Sequence, residues 1–459
     1  MITTRWAGLA LPIMMLLSAC SSLPRIVPDM ALSAPQARIE NARGPLSAAR
    51  SKALIDGLRS RGKDTDVLDR HLALEQAISD SPLLAGNKVT LLQNGPATYA
   101  AMFAAIGAAR DHINMETYIL EDDEVGRRFA EVLVEKQRQG VQVNLIHDSV
   151  GTLGTPAEFF QRLVDAGINV LEFNPVNPLT AKAGWDVNQR DHRKLLIVDG
   201  RTAFLGGINI SSVYSSGSLI GRKATRPDAN RPWRDTHLQI EGPAVAELQK
   251  LFLETWQKQK GEALATRAFF PKLGSVGQEV VHTIGSSPDA AYSLIYATLI
   301  SVINAAEREV LLTNAYFVPD PQLVTALKDA VTRGVDVRLV LPAQTDSALV
   351  FHAGRSHYSE LLRGGIKIYE RKNALLHAKT AVVDGVWSTV GSTNLDWRSF
   401  LHNQELNAVV LGPVFGARMR AAFEDDVAQS QQITLEAWEA RTLDLRVKEL
   451  FGRLWQYWL

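Results

Sequence analysis

Two segments of the chain carry a histidine, a lysine and an aspartate at the same spacing. They read His192-Arg193-Lys194-Leu195-Leu196-Ile197-Val198-Asp199 and His377-Ala378-Lys379-Thr380-Ala381-Val382-Val383-Asp384. Both have the form H-x-K-x₄-D, and random placement predicts roughly 0.02 such matches in a chain of this length and composition. In both segments an asparagine, Asn209 or Asn394, lies 17 residues after the histidine. The repetition indicates half of a functional site that is encoded twice.

These residue types suit a site that binds and cleaves a phosphodiester. Side chains alternate faces along a strand, so the histidine and the lysine of each motif point the same way. Two such pockets brought together surround one anion with two imidazoles, two ammonium groups and two amides. One histidine can attack phosphorus while the other protonates the leaving alcohol, which divides the displacement into two easier steps. This chemistry requires neither a metal ion nor another cofactor.

The phosphate-binding and supporting residues follow from the same pattern. Ammonium and amide donors neutralise the non-bridging oxygens as charge shifts in the transition state. We expect five side chains to hold the phosphate: Lys194, Lys379, Asn209, Asn394 and Ser392. Asp199 and Asp384 complete the catalytic set, and each is expected to orient a histidine or to end its strand in a turn. Glu116 and Glu405 are candidates for orienting the histidines by hydrogen bonds, and the alternative for each is a surface salt bridge.

Strands and helices alternate around each motif, in the same order both times. The first pass predicts helices over residues 101–110 and 125–139 and strands over 112–119 and 141–147. The second predicts helices over residues 299–308 and 321–333 and strands over 310–317 and 335–341. Such alternation is typical of a sheet covered by helices on both faces. The predicted fold class is α/β, with two tandem domains, each a mixed and mostly parallel sheet flanked by helices, packed as a pseudo-twofold dimer.

The tandem motif with its downstream asparagine resembles the phospholipase D superfamily, and its context resembles the bacterial cardiolipin synthases. The resemblance covers roughly residues 85–430, with further support from residues 91–95, 116–119, 233–237, 314–319 and 403–407. It implies a phosphohistidine intermediate and a mechanism without a divalent metal. Carried over to this sequence, His192 is the expected nucleophile and His377 the expected general acid. The pseudo-symmetry makes these two roles nearly interchangeable on sequence alone.

The resemblance implies a phosphatidyltransferase that attacks phosphatidylglycerol, releases an alcohol and passes the phosphatidyl group to a second lipid alcohol. One alternative is a phospholipase D that hydrolyses phospholipids to phosphatidic acid. Another is a catalytically inactive lipid-binding protein of the cell envelope, against which two intact motifs argue. A nucleic-acid substrate is disfavoured because 49 Lys and Arg balance 49 Asp and Glu, which gives a formal net charge of 0 and no general attraction to polyanions. The sequence indicates no particular protein partner.

The amino terminus predicts export and lipidation. A basic residue, Arg5, precedes an apolar run over residues 9–17, and the sequence Leu17-Ser18-Ala19-Cys20 resembles the bacterial lipobox. Cleavage would remove residues 1–19, and several acyl chains on Cys20 would anchor the protein firmly. By the same resemblance, Ser21 favours the outer membrane, and therefore a site in the cell envelope that faces the periplasm. The alternative is an ordinary signal peptide with an incidental cysteine. As the only cysteine of the chain, Cys20 excludes internal disulfides.

The remaining boundaries follow from composition and periodicity. A lipidated tether is predicted over residues 20–50 and a helical extension over residues 51–84. The two phospholipase D-like domains are predicted over residues 85–270 and 271–430. A helical tail is predicted over residues 431–459, which either packs in a groove of the domain or rests with its tryptophans at the level of lipid headgroups.

Overall fold

The computed structural model describes residues 39–60, 66–78, 81–177, 186, 188–215 and 233–459. The predicted signal peptide, Cys20 and the first part of the predicted tether lie outside these ranges. Among the described residues, no helix combines the length and the apolar composition that crossing a membrane requires.

The amino-terminal elements pack against the second half of the body. They are β1 (Ile39–Asn41), β2 (Gly44–Pro45), α1 (Ala48–Arg59) and α2 (Asp66–Ile78). β1 pairs in parallel with residues 83–84, and the side chain of Ile39 is fully buried. The prediction of a tether is therefore wrong for residues 39–50. Its proline-rich composition concealed a short strand, since proline is tolerated at the edge of a sheet.

The first half of the body alternates strands and helices, as predicted. Its strands are β3 (Leu83–Gln93), β4 (His112–Thr117), β5 (Gln142–Asp148), β6 (Asn169–Phe173), β7 (Arg190–Asp191), β8 (Lys194–Val198), β9 (Thr202–Gly206), β10 (Trp233–Arg234) and β11 (Thr236–Glu241). Its helices are α3 (Asn94–Ala108), α4 (Glu124–Arg138), α5 (Ala157–Asp165) and α6 (Ala244–Lys258), with a 3₁₀ turn at Ser212–Tyr214. The carboxylate of Asp123 caps α4 by accepting the backbone N–H groups of Val125 and Gly126.

The second half repeats this order. Its strands are β12 (Glu279–Ser286), β13 (Glu309–Asn314), β14 (Asp336–Pro342), β15 (Lys367–Arg371), β16 (Leu375–Leu376), β17 (Lys379–Val383), β18 (Trp387–Gly391) and β19 (Asn403–Leu411). Its helices are α7 (Leu294–Ala305), α8 (Pro321–Thr332), α9 (Ala348–Arg355), α10 (Tyr358–Arg363), α11 (Trp397–Leu401) and α12 (Pro413–Ala428). Asp320 caps α8 as Asp123 caps α4. After this half come β20 (Ser430–Ile433), α13 (Leu435–Glu439), α14 (Leu443–Leu454) and a 3₁₀ turn at Gln456–Trp458.

One continuous sheet joins two halves that share the same strand order. The first half has the order β6-β5-β4-β8-β9-β11-β3, and the second β15-β14-β13-β17-β18-β19-β12. β3 and β12 pair antiparallel where the halves meet. The predicted duplicated, mixed α/β fold is confirmed. Within each half, however, parallel pairing is confined to β4–β6 or β13–β15, so the sheet is less parallel than predicted.

Tight turns connect the antiparallel strands β8 and β9, and β17 and β18, and the motif aspartates lie in these turns. Asp199-Gly200 joins β8 to β9 and Asp384-Gly385 joins β17 to β18, and all four residues have φ between +53° and +69°. Positive φ at both central residues is what a type I′ hairpin turn requires. The Asp199 carboxylate accepts the backbone N–H groups of residues 110–112, and that of Asp384 those of residues 307–309. Among the described residues, neither aspartate contacts a motif histidine, and each ends its strand in a turn, which is the second of the two predicted roles. Asp384 also lies 3.1 Å from Nε2 of the buried His71.

We expect Asp384→Ala to lower the midpoint of thermal unfolding. Asp384 is 3% exposed, and its removal leaves three backbone N–H groups without their acceptor, at about 1–3 kcal/mol for each one that stays buried and unpaired. Asp384→Asn retains one acceptor oxygen and the tolerance of positive φ, so it should lose less. Both variants should keep wild-type turnover per folded molecule. A folded Asp384→Asn protein without turnover would instead place Asp384 in the chemistry.

Candidate active site

The backbone of each motif histidine is bonded to a strand of the opposite half. β7 pairs with β19, and β10 pairs with β16, across the interface between the halves. The N–H of His192 donates to the carbonyl oxygen of Gln404 at 2.9 Å, and that of His377 donates to the carbonyl oxygen of Arg234 at 2.8 Å. These reciprocal bonds bring the two motifs together at the boundary between the halves.

The side chain of each histidine meets a carboxylate of the opposite half. Nδ1 of His192 lies 3.0 Å from both carboxylate oxygens of Glu405. Nδ1 of His377 lies 2.7 Å from Oδ2 of Asp235. Because an ionised carboxylate can only accept a hydrogen bond, each Nδ1 carries a proton, and each Nε2 is the nitrogen left to attack when unprotonated or to donate when protonated. Both imidazoles are therefore oriented to react through Nε2.

The two motif lysines are buried beside the histidines and held by them. Lys194 and Lys379 are 3% and 2% exposed. Each ammonium donates to the main-chain carbonyl oxygen of its own motif histidine. An ammonium group has three donors, so two remain on each lysine for an anion. Lys194 also lies over the ring of Tyr118, at 5.1 Å from its centroid.

Burial lowers the pKa of every cationic group in the site. It brings the pKa of His192 to about 4, against the opposing effect of Glu405, and it also lowers the pKa of His377. Burial likewise lowers the pKa of Lys194 to about 7 and that of Lys379 to about 8. Each lysine also lowers the pKa of the histidine in the opposite half, which shows that the motifs share one electrostatic environment. An anionic phosphodiester would stabilise the protonated form of all four groups.

The remaining predicted phosphate-binding residues lie close to the histidines, but not all of them are free to bind. Ser392 donates its hydroxyl to Glu405 and so supports the carboxylate that orients His192. Asn209 donates to the hydroxyl oxygen of Tyr214 at 3.0 Å and accepts the N–H of Ile119 at 3.2 Å. Asn394 is 4% exposed, and its Oδ1 has no hydrogen-bond partner within the described part of the chain. As a hydrogen-bond acceptor, this oxygen suits a hydroxyl group of a substrate and not the phosphate oxygens.

Aromatic rings line the space around the imidazoles. The ring of Tyr118 lies edge-on to that of His192 with centroids 5.0 Å apart. The rings of Trp233 and Tyr316 lie 5.1 Å and 6.3 Å from that of His377. The Tyr214 oxygen lies 3.3 Å from Nδ1 of His377. These rings limit the access of water and fix the tilt of both imidazoles.

The prediction that Glu116 orients a histidine is wrong. β4 pairs with β8 so that Thr117 lies opposite Lys194 and Glu116 lies opposite Leu195. Residues that lie opposite each other share a face, so Glu116 points to the face away from Lys194. There it lies 3.5 Å from Nη1 of Arg193, and its burial raises its pKa. Glu116 is thus part of a buried ion pair behind the motif strand.

Sequence reasoning missed Asp235 as a site residue. In the sequence its segment, residues 233–237, supports only the family resemblance, and its partner His377 lies 142 residues away. The available signal was the duplication itself. β9 pairs with β11 as β18 pairs with β19, and these registers place His237 opposite Gly206 and Asn407 opposite Gly391. Asp235 and Glu405, each two residues earlier, are therefore equivalent positions.

The fold has a counterpart among solved structures. The crystal structure of phosphatidylserine synthase from Haemophilus influenzae Rd KW20 matches with a TM-score of 0.62, covering 85% of this chain and 100% of that chain at 14% identity. An identity this low establishes a shared fold and nothing more. The duplicated α/β body and its paired motifs place this chain in the phospholipase D-like class.

Sequence comparison identifies the family. The family model "Cardiolipin synthase, PLD-like domain" matches residues 102–216 and 299–427. The cardiolipin synthase of Geobacillus sp. (strain WCH70) is 36% identical over 387 residues, which cover 83% of this chain and 74% of the relative. Cardiolipin synthase 2 of Bacillus anthracis is 34% identical over 367 residues, covering 79% of this chain and 69% of the relative. The chain belongs to the cardiolipin synthase family, so the resemblance of its tandem motifs is confirmed.

We expect Asp235→Asn and Glu405→Gln to lower kcat by about 100-fold or more, because each removes the negative charge that stabilises an imidazolium and introduces an NH2 group that can donate to Nδ1 and favour the wrong tautomer. KM should change little, since neither carboxylate is placed to touch substrate. Asp235→Glu, which keeps the charge, is the matched control and should retain more activity than Asp235→Asn. Steady-state kinetics on folded protein measure all three, and wild-type kcat in Asp235→Asn would contradict the positioning role.

The dependence of kcat/KM on pH should have two limbs. His192 must be neutral to attack, so activity falls as pH drops through its pKa of about 4. His377 must be protonated to act as the general acid and both lysines must be protonated to bind the anion, so activity also falls as pH rises, through the lowered pKa of His377 and then through about 7 to 8 for the lysines. A phosphodiester has no proton that titrates in this range, and kcat/KM reports the free enzyme. A soluble short-chain lipid substrate would give the profile, and constant kcat/KM between pH 6 and pH 9 would contradict the lysine assignment.

Proposed function

We propose that this protein is a phosphatidyltransferase of the cardiolipin synthase type, which joins two phospholipids through a phosphohistidine intermediate. The observation that carries the proposal is the pair of imidazole–carboxylate contacts, in which Nδ1 of each motif histidine faces a carboxylate of the opposite half. Two oriented imidazoles beside two ammonium groups suit a displacement at phosphorus in two steps. Membership of the cardiolipin synthase family supports phospholipids as substrates, and phosphatidylglycerol is the donor that we propose.

In the first step, Nε2 of His192 attacks the phosphorus of the donor lipid. The bond from phosphorus to the leaving glycerol oxygen breaks, and that oxygen takes the Nε2 proton of His377, which enters this step as the imidazolium that the anionic donor stabilises. Lys194 and Lys379 neutralise the non-bridging oxygens, where charge accumulates in the transition state. Glu405 stabilises the positive charge that develops on the His192 ring, and its own pKa is held at about 2 by His192 and Lys194 despite its burial.

In the second step, the hydroxyl group of another lipid enters the site left by glycerol. Nε2 of His377, now neutral, takes the hydroxyl proton, and the oxygen attacks phosphorus while the bond to His192 breaks. The product is a phosphodiester of the second lipid, and the enzyme returns to its starting protonation. Water in place of the lipid hydroxyl would give phosphatidic acid, so the same site can support hydrolysis.

We further propose that the enzyme works at a membrane of the bacterial cell envelope. The support is the lipobox-like sequence that ends at Cys20, whose acylation would anchor the chain. Ser21 supports the outer membrane, with the catalytic body on the periplasmic side. Cys20 lies outside the described residues, so this part of the proposal depends on sequence alone.

The decisive experiment is expression in a bacterial strain that lacks cardiolipin, followed by lipid analysis. The wild type should restore cardiolipin, and His192→Ala and His377→Ala should not. Asp199→Asn is the matched control, because it changes a residue of the same motif at the turn remote from the histidines, and it should restore cardiolipin.

Each other outcome rejects part of the proposal. Phosphatidic acid without cardiolipin would show that water resolves the intermediate and that the protein is a phospholipase D. No change in lipids with the wild type would favour a lipid-binding role without catalysis. Cardiolipin restored by both histidine variants would show that the motif histidines are not catalytic.

A further inference from the structure

We infer that an exposed apolar stripe on α14, with the tryptophans that follow it, is a membrane-docking surface that seats the mouth of the active site on a phospholipid bilayer. This inference deepens the proposed function and rests on it, because a bilayer is where a phosphatidyltransferase finds both of its substrates. We call the surface the apolar stripe, and it consists of Leu443, Val447, Leu450, Leu454, Trp455 and Trp458.

The helix α14 exposes its apolar face and buries the opposite face, which is the reverse of the usual arrangement on a protein surface. Residues three or four positions apart share a face of a helix, and this spacing places Leu443, Val447, Leu450 and Leu454 on one side. These side chains are 76%, 65%, 62% and 70% exposed. The inward face instead carries Glu449 and Gly452, which are buried. A helix on the surface of a protein in water normally buries its apolar face, so this stripe requires a partner.

Tryptophan extends the stripe beyond the helix. Trp455 and Trp458 are 47% and 69% exposed, whereas Tyr457 between them packs inward with its ring 5.5 Å from that of Trp397. The amphipathic indole ring is enriched at the boundary between bilayer and water. Large exposed apolar patches on soluble proteins mark interaction sites, and this composition favours a lipid interface.

The stripe lies beside the proposed reaction centre. Gly452 of α14 packs so closely on α9 that a Cβ there would lie 2.5 Å from the backbone nitrogen of Ala353. Gly354 of α9 packs in the same way on the carbonyl oxygen of Phe317. The neighbouring residue Tyr316 faces His377, with ring centroids 6.3 Å apart. Only α9 and one aromatic layer therefore separate α14 from the imidazole.

The equivalent position in the first half is also apolar and exposed. α9 follows the carboxyl end of β14, and its counterpart is the loop that follows β5. In that loop Leu153 is 73% exposed and Val150 is 39% exposed. Gly151 packs on the carbonyl oxygen of Tyr118, whose ring contacts that of His192. Apolar side chains thus flank the site on both sides of the pseudo-twofold axis.

Charge supports a bilayer as the occupant rather than a second copy of the chain. The exposed side chains of Arg446 and Arg453 flank the stripe on one side of the helix, where anionic headgroups can pair with them. On the other side Lys448 is already paired with Asp444 at 3.4 Å. A second copy docked here would also cover the approach to His192 and His377. A bilayer instead delivers its lipids to that approach.

The test measures insertion at one position in the full chain. Cys20→Ser removes the only cysteine, at the proposed lipidation site, and leaves a chain without thiols, so Leu450→Cys can be labelled with an environment-sensitive fluorophore. The matched control is Val414→Cys, because Val414 is 42% exposed on α12, whose first turn packs on the hairpin turn at Gly385, remote from the histidines. Vesicles of phosphatidylglycerol and phosphatidylcholine, with and without a quencher on the acyl chains, are then added.

We expect a blue shift and acyl-chain quenching at position 450 and neither at position 414. No change at position 450 when the protein binds the vesicles would overturn the inference. A blue shift at position 450 that grows with protein concentration in the absence of vesicles would also overturn it, because it would assign the stripe to self-association.

A second variant separates this inference from the proposed function. Leu450→Ser combined with Leu454→Ser should raise the vesicle concentration needed for half-maximal binding by about tenfold or more and leave turnover of a soluble short-chain lipid at the wild-type level. Unchanged vesicle binding in this variant would reject the stripe while the transferase proposal stands. Insertion at position 450 without any phosphatidyl transfer would reject the transferase proposal while the docking surface stands.

Discussion

The exchange of carboxylates between the two halves is the interaction on which the site depends. His192 is oriented by Glu405 and His377 by Asp235, so neither half contains a complete pair of histidine and carboxylate. The backbone reinforces the exchange, because β7 and β16, which precede the two histidines, pair with the strands that carry or precede those carboxylates. In a single half, the motif histidine would lack its acceptor. The duplicated fold is therefore a requirement of the chemistry and not only a record of its origin.

The same exchange lowers the free-energy cost of burying the charged groups of the site. Two ammonium groups and two carboxylates lie in one buried region, so the empty site is close to electrical balance. Isolated buried charges are costly and paired ones much less so. Burial still lowers the pKa values of Lys194 and Lys379 to about 7 and 8. Their protonated forms gain a partner when an anion binds, and this couples recognition of the phosphate to its neutralisation.

What the sequence could predict was local. A turn at each motif aspartate was one of the two roles predicted, and the spacing of His192 and Lys194 predicted a shared face, because turn chemistry and strand alternation act over a few residues. The sequence named Glu405 as a candidate to orient a histidine but not which histidine, because its contact with His192 spans 213 residues, a separation over which no periodicity in one sequence identifies a partner. The prediction for Glu116 was wrong because the face on which its side chain lies depends on the register of β4 against β8. A shift of one residue would have placed it on the other face.

The two half-sites are not identical, and their differences follow from the carboxylates. The residue 15 positions after His192 is Gly207, and a Cβ at this residue would collide with the carboxylate of Asp235. In the second half the same position is Ser392, whose hydroxyl donates to Glu405. His377 has Tyr214 as a second neighbour of Nδ1, whereas His192 has both oxygens of Glu405. A symmetric pair would bind phosphate equally well but would give both imidazoles the same proton affinity. Unequal surroundings allow one copy of the motif to attack while the other carries the proton.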